Sequence, residues 1–456
     1  PLAKLSGPPA TRGEHEGAAG LATRLTGRKN HLRAGPPMAQ FTITGGQRLS
    51  GVLAAGGSKN AALPMMAAAI LAGEPVILRC VPRLEDVQTL CRLLGELGLE
   101  AQWIADGALR LQAVDGQRTR AGYRLVRRMR ASFCVLGPLL ARRGRAVVAL
   151  PGGCNIGPRP VDLNLRGLAA LGADLRLEHG YVVAEARRLV GASVCLAGPR
   201  GPTVTGTANV LCAAVLAQGD TTITGAAAEP EIVDLGRLLE RMGARIEGLG
   251  TSTIRVVGVK ELGGAEHRII PDRIEAATLL LAAAVTGGTA TVTHVRPEQL
   301  AGVLDRFEAA GARIQSGPDR VSMAAPQRPQ PIEVVARPYP GVPTDLQAQF
   351  MAWLSLAQGR SLVRDEVFPA RFLHVAELNR LGARIDARDG TAIVEGVERL
   401  TGAAVRACDL RASAALVLAG LAAEGETRVH HAEHLDRGYE RLDQKLARLG
   451  AQIARC

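Results

Sequence analysis

The chain contains few aromatic residues, few lysines and no long apolar run. Aromatic residues make up 3% of its 456 residues, so the predicted core is Ala, Leu and Val packed against Gly. The longest nearly apolar runs, at 276–285 and 412–423, are well short of the roughly 18 residues that a membrane-spanning helix needs. We therefore expect a soluble globular protein with no membrane partner.

The positive charge of the chain is carried almost entirely by arginine. The formal net charge is +12, yet only five of the 55 basic residues are Lys. Such a bias toward Arg weakens the interpretation of the charge as a nucleic-acid-binding surface. The chain also has few aromatic rings on which bases could stack. A basic nucleic-acid-binding protein is therefore the less favoured alternative, and we expect no nucleic-acid partner.

The eight cysteines form no CxxC pair and suggest no disulfide framework. A chain of this length does not need disulfides to stabilise its core. The pattern is typical of reduced thiols and favours a cytoplasmic protein.

Two features suggest a metal or a cofactor, but neither has the necessary spacing. His430, His431 and His434 lie close together, but no fourth ligand of fitting type is near, so surface or capping histidines are the favoured interpretation. GGSK at 56–59 lacks the GxxxxGK[ST] spacing of a nucleotide-binding P-loop. We therefore predict no metal and no cofactor.

The N-terminal segment 1–37 differs from the rest of the chain. It does not start with Met, it is rich in Gly, Pro and Arg, and it holds six basic against two acidic residues. It contains no apolar segment of the kind found in secretory signals. Met38 comes just before a predicted strand at 40–44, where polar and apolar residues alternate. We interpret residues 1–37 as a disordered basic extension or a mis-called start.

A repeat runs through the remainder of the chain. A Gly that follows a helical Leu pattern recurs at nearly constant spacing, at Gly98, Gly172, Gly243, Gly311, Gly382 and Gly450. A second Gly, which closes an Ala-rich helical pattern, precedes each of them by a nearly constant interval, at Gly73, Gly144, Gly219, Gly288, Gly359 and Gly425. Because chance does not keep both marks in phase six times, the sequence indicates six related α/β units.

Each unit is predicted to contain an Ala-rich helix, a strand, an amphipathic helix and a second strand. The Ala-rich helices, for example 60–72 and 412–423, are apolar on all sides and should be buried. The helices at 87–97 and 234–242 have one polar face and should lie outside. Six units predict a mixed α/β protein with two domains of three units each.

Polar residues mark the starts of the predicted buried helices. They are Lys59 and Asn60; Arg128 and Arg130; Thr203, Thr205 and Thr207; Asp272 and Arg273; Thr344 and Asp345; and Asp409 and Arg411. A helix N-terminus offers free N–H groups and a partial positive charge to an anion. If the units of a domain run parallel, these starts meet on one face, and two such faces form a cleft for a phosphorylated substrate. An ordinary N-cap role is an equally good interpretation of Asp345 and Asp409.

The longest linker between units has the sequence PGGCNIGPRPVDL at 151–163. Cys154 lies there among glycines and near Arg159, which is not the setting of a buried structural Cys. A thiol with the ordinary pKa of about 8.5 can donate a proton at neutral pH, whereas nearby cations favour the thiolate. Lys59, at the start of a predicted helix, would suit a phosphate or carboxylate oxygen. A solvated surface Lys is the alternative interpretation.

Eight segments form a recognisable pattern over about 40–453. They are GSKNAALP at 57–64, MRAS at 129–132, PGGCNIGPRPVDL at 151–163, EPEIVD at 229–234, PDRIE at 271–275, PTDLQAQ at 343–349, DLRAS at 409–413 and DRGYE at 436–440. Together they resemble the UDP-N-acetylglucosamine 1-carboxyvinyltransferases. The PGGC loop is the most specific of them, because the related shikimate-pathway enolpyruvyl transferases lack it.

The resemblance implies a fold and a reaction. The family fold is an inside-out α/β barrel in two three-repeat domains, here 59–270 and 38–58 plus 271–456, with the active site in the cleft between them. Its members transfer the enolpyruvyl group of phosphoenolpyruvate to the 3′-hydroxyl of UDP-N-acetylglucosamine and release phosphate. This is the first committed step of bacterial peptidoglycan precursor synthesis, so the resemblance implies roles in cell-wall biogenesis, cell shape and cell division, and inhibition by fosfomycin.

The resemblance also implies site residues. The catalytic residues would be Cys154 as proton donor, Asp345 as acceptor of the hydroxyl proton, and the cations Lys59 and Arg437. The contacts to phosphoenolpyruvate would come from Lys59, Asn60, Arg130, Arg159 and Arg437. The contacts to the nucleotide sugar would come from Asn60, Arg130, Arg159, Pro160, Val161, Asp162, Leu163, Gly201, Pro202, Thr203, Val204, Asp345 and Val367. Supporting residues would be Asp272, Arg371, Asp409 and Arg411.

Several alternatives stay open at this point. Cys154 is either the chemical acid or chiefly an aid to product release. Asp345 at a helix start is a weakened base, so orientation of the hydroxyl is its alternative role. Pro369 and Ala370 replace the Glu-Asn pair that the family usually has before Arg371. The rival acceptor is shikimate 3-phosphate, and the protein is expected to be a monomer or a weak homo-oligomer.

Overall fold

The computed structural model describes residues 39–151 and 161–456, which belong to one compact unit, Met38–Cys456. The predictions for residues 1–37 and for Cys154, Arg159 and Pro160 lie outside these ranges. Within the described ranges, no helix is both long enough and apolar enough to cross a membrane.

The described residues form short strands and mostly short helices in regular alternation. The strands are β1 (Gln40–Thr44), β2 (Ser50–Ala54), β3 (Val76–Arg79), β4 (Leu99–Ile104), β5 (Ala108–Ala113), β6 (Arg120–Ala121), β7 (Arg145–Ala149), β8 (Asp174–Glu178), β9 (Tyr181–Glu185), β10 (Ser193–Cys195), β11 (Ala197–Gly198), β12 (Gly201–Pro202), β13 (Asp220–Thr224), β14 (Arg245–Glu247), β15 (Thr253–Val257), β16 (Ala265–Arg268), β17 (Thr289–Thr293), β18 (Arg313–Ser316), β19 (Arg320–Ala324), β20 (Glu333–Ala336), β21 (Arg360–Asp365), β22 (Arg384–Arg388), β23 (Thr391–Glu395), β24 (Ala404–Arg406), β25 (Glu426–His430) and β26 (Gln452–Arg455). The α-helices are α1 (Lys59–Ala68), α2 (Glu85–Glu96), α3 (Tyr123–Val126), α4 (Leu136–Arg143), α5 (Asp162–Ala170), α6 (Val204–Ala214), α7 (Pro230–Arg241), α8 (Arg273–Val285), α9 (Ala301–Ala309), α10 (Gln347–Leu354), α11 (Val375–Arg380), α12 (Leu410–Ala422) and α13 (Leu442–Arg448). Short 3-10 segments occupy Ala69–Leu71, Ala105–Gly107, Arg130–Val135, Pro297–Leu300, Thr344–Leu346 and Ala432–Arg437.

Six four-stranded sheets share one pairing scheme. In spatial order they are β16-β3-β5-β4, β6-β7-β9-β8, β10-β13-β15-β14, β2-β17-β19-β18, β20-β21-β23-β22 and β24-β25-β1-β26. In each, the first strand pairs in parallel with the second, and the remaining pairs are antiparallel. The six repeated α/β units predicted from the sequence are thus confirmed. The sequence pattern missed two of the four strands in each of the first five sheets and only β24 in the last, because β1 was predicted at 40–44.

The first set of repeated glycines has a common conformational role. All six, from Gly98 to Gly450, have φ between +80° and +110° at the ends of amphipathic helices, a region that side chains other than Gly enter at a cost. The second set is less uniform. Gly73 and Gly288 do not have positive φ, and Gly287 takes that conformation in place of Gly288. Gly288 instead has no room for a Cβ, which would lie 2.0 Å from the backbone oxygen of Leu49.

The Ala-rich helices form the interior, as predicted. α8 and α12 are buried along most of their length, whereas α2 and α7 bury one face only. Two apolar clusters result, one within 61–270 and one from 41–53 and 274–451. We call the parts of the chain that carry them the first and the second lobe. The domain boundaries that the resemblance implies stay a prediction.

The chain passes between the lobes through two adjacent segments. Gly57 and Pro271 form an antiparallel bridge, and the N–H of Ser58 donates to the oxygen of Ile270 at 2.8 Å. A Cβ at Gly57 would lie 1.8 Å from the backbone oxygen of Cys80, so this crossing requires glycine. The same crossing brings β1 into the sheet of the second lobe that contains β25 and β26.

We expect His374 to make folding sensitive to mild acid. Its ring lies in the core of the second lobe, 3.0 Å from the sulfur of Met351. Burial, with Arg371 adding to it, lowers the pKa of His374 to about 4. Because the unfolded chain binds the proton more readily, the free energy of unfolding should fall by up to about 3 kcal/mol as the pH drops from about 6.5 to 4.

The measurement is the thermal midpoint of His374→Gln across that pH range. The variant should lose part of the pH dependence seen in the natural protein. His179→Asn is the control, because His179 is exposed and Asn tolerates the positive φ of that position. Equal slopes for the natural protein and His374→Gln would contradict the assignment.

Candidate active site

A cavity of about 710 Å³ lies between the two lobes. Sites for small organic ligands usually have volumes of roughly 300–1,000 Å³. The starts of all six buried helical segments contribute to its lining, three from each lobe. The lining residues from these starts are Lys59, Asn60, Arg130, Ala131, Thr203, Val204, Thr205, Arg273, Ile274, Thr344, Asp345, Asp409, Leu410 and Arg411. The structure therefore brings together the helix starts that the sequence analysis singled out.

Several of these starts are capped by their own side chains. Asp409 Oδ1 accepts hydrogen bonds from the N–H groups of Arg411 (2.8 Å) and Ala412 (3.2 Å). Asp272 caps α8 in the same way and also accepts a hydrogen bond from the N–H of Lys59 (3.3 Å). The N-cap interpretation is correct for Asp409, although Asp409 also lines the cavity.

Asp345 does not cap a helix but lies between cations. Its Oδ1 accepts from Arg371 Nη1 (3.1 Å), and its Oδ2 accepts from Arg411 Nη2 (3.3 Å) and Asn60 Nδ2 (3.4 Å). Burial raises the pKa of Asp345, but the guanidinium groups of Arg411 and Arg371 outweigh burial and hold the pKa well below its usual range. Asp345 is therefore a carboxylate in the unliganded protein and a weak base.

A second carboxylate, Asp86, lies between cations of different lobes. Asp86 Oδ2 accepts from Lys59 Nζ at 2.9 Å, and Oδ1 accepts from Arg437 Nε at 2.9 Å. Only 4% of the Asp86 side chain is exposed. Burial acts to raise the pKa of Asp86, but the charges of Lys59 and Arg437 lower it overall. The sequence analysis did not identify Asp86.

Another wall of the cavity is mostly backbone and apolar side chain. The two-stranded hairpin of β11 and β12 contributes Gly201 and Pro202, and α5 contributes Asp162 and Leu163. Val367 from the second lobe completes the set of predicted nucleotide-sugar contacts that line the cavity. Leu163 and Val367 of this wall, which we call the apolar wall, suit a flat ring. Arg200, in the turn between β11 and β12, adds a positive charge beside them.

Acidic residues of the first lobe and cations of the second meet along the cavity. Arg273 Nε and Nη2 donate to the two carboxylate oxygens of Glu231 at 3.0 and 3.2 Å. Glu229 Oε1 accepts a hydrogen bond from the N–H of Tyr339 (3.4 Å), and burial raises the pKa of Glu229. Arg337 also lines the cavity. Glu229, Glu231 and Arg273 lie in segments that carried the resemblance, but the resemblance assigned no role to them, and Arg273 was predicted only as part of a helix start.

The altered loop before Arg371 keeps that residue in place. Asp365 Oδ1 accepts from the N–H groups of Val367 (3.0 Å) and Phe368 (2.6 Å), which fixes the turn. The N–H of Arg371 then donates to the oxygen of Phe368 at 2.9 Å. Pro369 therefore leaves the contact between Arg371 and Asp345 intact.

Most of the predicted site residues that are described line the cavity. Those that do are Lys59, Asn60, Arg130, Asp162, Leu163, Gly201, Pro202, Thr203, Val204, Asp345, Val367, Arg371, Asp409, Arg411 and Arg437. Val161 and Asp272 are not among the lining residues, although each adjoins one. Cys154, Arg159 and Pro160 lie in the part of the chain that is not described. No group of three or more His, Cys, Asp or Glu side chains in the described ranges is placed to hold a metal ion.

Comparison with known proteins concerns the fold and the family of the chain. The chain is similar to the enolpyruvyl transferase NikO from Streptomyces tendae, with 27% identity, coverage of 92% of this chain and 99% of that chain, and a TM-score of 0.83. It is also similar to the EPSP synthase from Acinetobacter baumannii, with 18% identity, coverage of 92% and 100%, and a TM-score of 0.70. The second likeness concerns the fold alone, and together the two confirm the predicted α/β fold class.

The sequence also matches a family model. The model is that of EPSP synthase (3-phosphoshikimate 1-carboxyvinyltransferase), and the match extends over residues 43–446. Because this match takes in most of the chain, the protein belongs to the EPSP synthase family and is an enolpyruvyl transferase.

Proposed function

We propose that the protein transfers the enolpyruvyl group of phosphoenolpyruvate to the 3′-hydroxyl of UDP-N-acetylglucosamine and releases phosphate. The observation that carries this proposal is that the last residues of the PGGC segment, 151–163, line the cavity. The loop that resembles the nucleotide-sugar enzymes leads directly into Asp162 and Leu163, and both line the cavity. The segment whose sequence favours the nucleotide sugar as acceptor thus reaches the cavity.

The charges around the cavity suit phosphoenolpyruvate. This donor carries a phosphate and a carboxylate, and charge-assisted hydrogen bonds from Lys and Arg bind such groups most strongly. Lys59 and Arg130 from the first lobe and Arg437 from the second line the cavity. We assign these three cations, with Arg159 in the loop, to the donor.

The acceptor would extend from the carboxylate Asp345 to the apolar wall. Asn60 and Asp345 lie 3.4 Å apart across the lobes and would hold the sugar near its reacting hydroxyl. The backbone of Gly201 and the side chains of Leu163 and Val367 would contact the nucleotide. Shikimate 3-phosphate is much smaller and has no flat base to occupy this wall.

The reaction needs three proton movements and one leaving group: the sugar hydroxyl releases its proton to solvent, C3 of the enol gains a proton, and C3 loses one again as phosphate leaves. The sugar oxygen bonds to C2 of the enol while C3 receives a proton, for which Cys154 is the proposed donor. Loss of a proton from C3 and departure of phosphate from C2 then restore the double bond. Because Asp345 is a weak base, we assign it to orienting the hydroxyl and to stabilising positive charge as the proton leaves.

The second candidate acceptor is shikimate 3-phosphate. The description of the matching family model favours it. The PGGC loop favours the nucleotide sugar, and with it a cytoplasmic role in peptidoglycan precursor synthesis, cell shape and cell division. A direct assay separates the two candidates.

We expect phosphate release from phosphoenolpyruvate to depend on UDP-N-acetylglucosamine. The purified chain is incubated with phosphoenolpyruvate and either acceptor, or none, and both phosphate and the mass of the product are measured. The expected product is the nucleotide sugar plus one enolpyruvyl group. Turnover with shikimate 3-phosphate alone would transfer the function to the second candidate, and turnover with neither would contradict both.

A pair of leucine variants tests the apolar wall in the same assay. Leu163→Ala should raise the KM for UDP-N-acetylglucosamine at least about tenfold, because it removes three carbon atoms from the apolar wall, and one methylene in an apolar pocket contributes about tenfold or more. The KM for phosphoenolpyruvate should not change. Leu177→Ala, at an exposed position of β8, is the control and should leave both values unchanged.

A further inference from the structure

Asp86 joins the two lobes at the cations assigned to the donor. Lys59 begins α1 of the first lobe, and Arg437 ends a 3-10 segment of the second lobe. Each contacts a different oxygen of the same carboxylate at 2.9 Å. A single buried side chain therefore sets the separation of two cations that belong to different parts of the fold.

A second contact strengthens the junction at the same place. The N–H of Arg83, just before the start of α2, donates to Glu440 Oε2 at 3.1 Å. Glu440 follows closely after Arg437, so the start of α2 and the segment 437–440 meet at two points. Two contacts therefore hold this segment against the first lobe: that of the Arg437 side chain with Asp86 and that of Glu440 with the N–H of Arg83.

A role limited to α2 does not explain this arrangement. An acidic residue in the first turn of a helix is favoured by the helix dipole, and Glu85 already supplies one. Glu85 is paired at the surface with Arg92 (3.3 Å), whereas Asp86 is buried beside the cavity. Burying a carboxylate is costly unless its partners compensate. The compensating partners of Asp86 are Lys59 and Arg437, the two cations that we assign to phosphoenolpyruvate.

We propose that Asp86 is a positioning residue for phosphoenolpyruvate. It holds Lys59 Nζ and Arg437 Nε at neighbouring points of the cavity, each 2.9 Å from one of its oxygens, so that one anionic group of the donor can contact both. Two positive charges and one negative charge leave the group with a net positive charge that attracts the donor. This inference rests on the proposed assignment of Lys59 and Arg437 to the donor.

The test is Asp86→Asn, which keeps the shape of the side chain and removes its charge. The KM for phosphoenolpyruvate should rise roughly 10- to 100-fold, the equivalent of one or two charge-assisted hydrogen bonds. The KM for the acceptor should change by less than about twofold, because the ion pairs of Asp86 within the described ranges are with Lys59 and Arg437, which are assigned to the donor. A merely structural role would instead change both KM values together, and that result would overturn the proposal.

Glu85→Gln is the matched control. It removes the same charge from the same helical turn, so it reproduces any effect of the helix dipole. It should leave both KM values unchanged, and an effect equal to that of Asp86→Asn would overturn the proposal. Circular dichroism shows whether each variant is folded, and Asp86→Ser replaces Asp86→Asn if the latter is not.

A double-mutant cycle with Arg437→Gln shows whether Asp86 acts across the lobes. The effect of Asp86→Asn on the KM for phosphoenolpyruvate should be clearly smaller in the Arg437→Gln background. If the KM increase of the double variant equals the product of the increases in the two single variants, Asp86 and Arg437 act independently. That result would overturn the proposed coupling and leave the assignment of Arg437 to phosphoenolpyruvate in place. An unchanged KM in Arg437→Gln alone would remove the donor assignment, and with it this inference.

Discussion

Replacing Cys154 by Ala should lower kcat by about 10²- to 10⁴-fold, the usual contribution of a placed acid. The enol carbon C3 accepts a proton poorly from water, and the loop that carries Cys154 ends at Asp162 and Leu163 in the cavity wall. Both substrates should still bind, because Cys154→Ala leaves every proposed binding cation and backbone contact in the sequence, including Arg159 of the same loop. The measurement is kcat and both KM values for the Ala, Ser and Asp variants.

The variants distinguish the two proposed roles of the thiol. A carboxylic acid can donate a proton, so Cys154→Asp should keep much of the activity that Cys154→Ser and Cys154→Ala lose. If Cys154 chiefly aids product release, the Ala variant should form product in a rapid first turnover and then stall. Retention of full activity by Cys154→Ala would contradict both roles.

The resemblance implies that fosfomycin alkylates Cys154. Cys195 of the same chain is a stringent internal control for the selectivity of this reaction. Cys195 is exposed, and the N–H of Ala197 and the hydroxyl of Thr224 lower the pKa of its thiol. A non-selective reagent would therefore modify Cys195 as well. Peptide mass analysis should find the added mass on Cys154 and not on Cys195.

The repeated units of the fold could be predicted from the sequence because each unit forms mainly from residues that are close together in the chain. Each unit carries its own helix pattern and a Gly with positive φ, such as Gly98 or Gly243, at the end of a helix. The pairing of β1 with β25 and β26 is different, because it joins the start of the described chain to its end. Periodicity carries no information on such a contact, and only the resemblance to a known family implied it.

The candidate site was predictable where helix starts form it. Polar side chains mark the starts of α1, α6 and α12 at corresponding places in the repeat: Lys59 begins α1, and Thr203 and Asp409 are the N-caps of α6 and α12. Their convergence follows from the parallel arrangement of the units. Asp86 lies one residue inside a helix and is 351 residues from its partner Arg437. In the sequence, Asp86 cannot be distinguished from its neighbour Glu85, because both are acidic residues in the first turn of α2.

The centre of the site could not be derived from single residues either. Asp345 gains its low pKa from Arg411 and Arg371, which come from a different helix and a different loop. The sequence identified all three residues but not their contact. The sequence predicted a weakened base from the helix start, whereas the structure shows that Arg411 and Arg371 are the main charges that stabilise the Asp345 carboxylate.

Replacing Asp345 by Asn should lower kcat by about 10²- to 10⁴-fold, although Asp345 is a weak base. The carboxylate aligns the sugar hydroxyl and opposes the positive charge that grows as the hydroxyl proton leaves. Without it, Arg371 and Arg411 also lose their partner and repel each other near the reacting atoms. The measurement is kcat together with the pH dependence of kcat/KM.

The pH profile separates orientation from base catalysis. The pKa of Asp345 lies far below neutrality, so we expect no acidic limb from this residue at any pH where the enzyme is folded. Asp386→Asn is the matched control, because it breaks an exposed pair with Arg388 (3.1 Å) in the same lobe and should not alter kcat. An acidic limb near pH 6 in the natural enzyme that disappears in Asp345→Asn would contradict the orienting role. In that case the bound substrate would have to displace Arg371 and Arg411 from the carboxylate before the proton is taken.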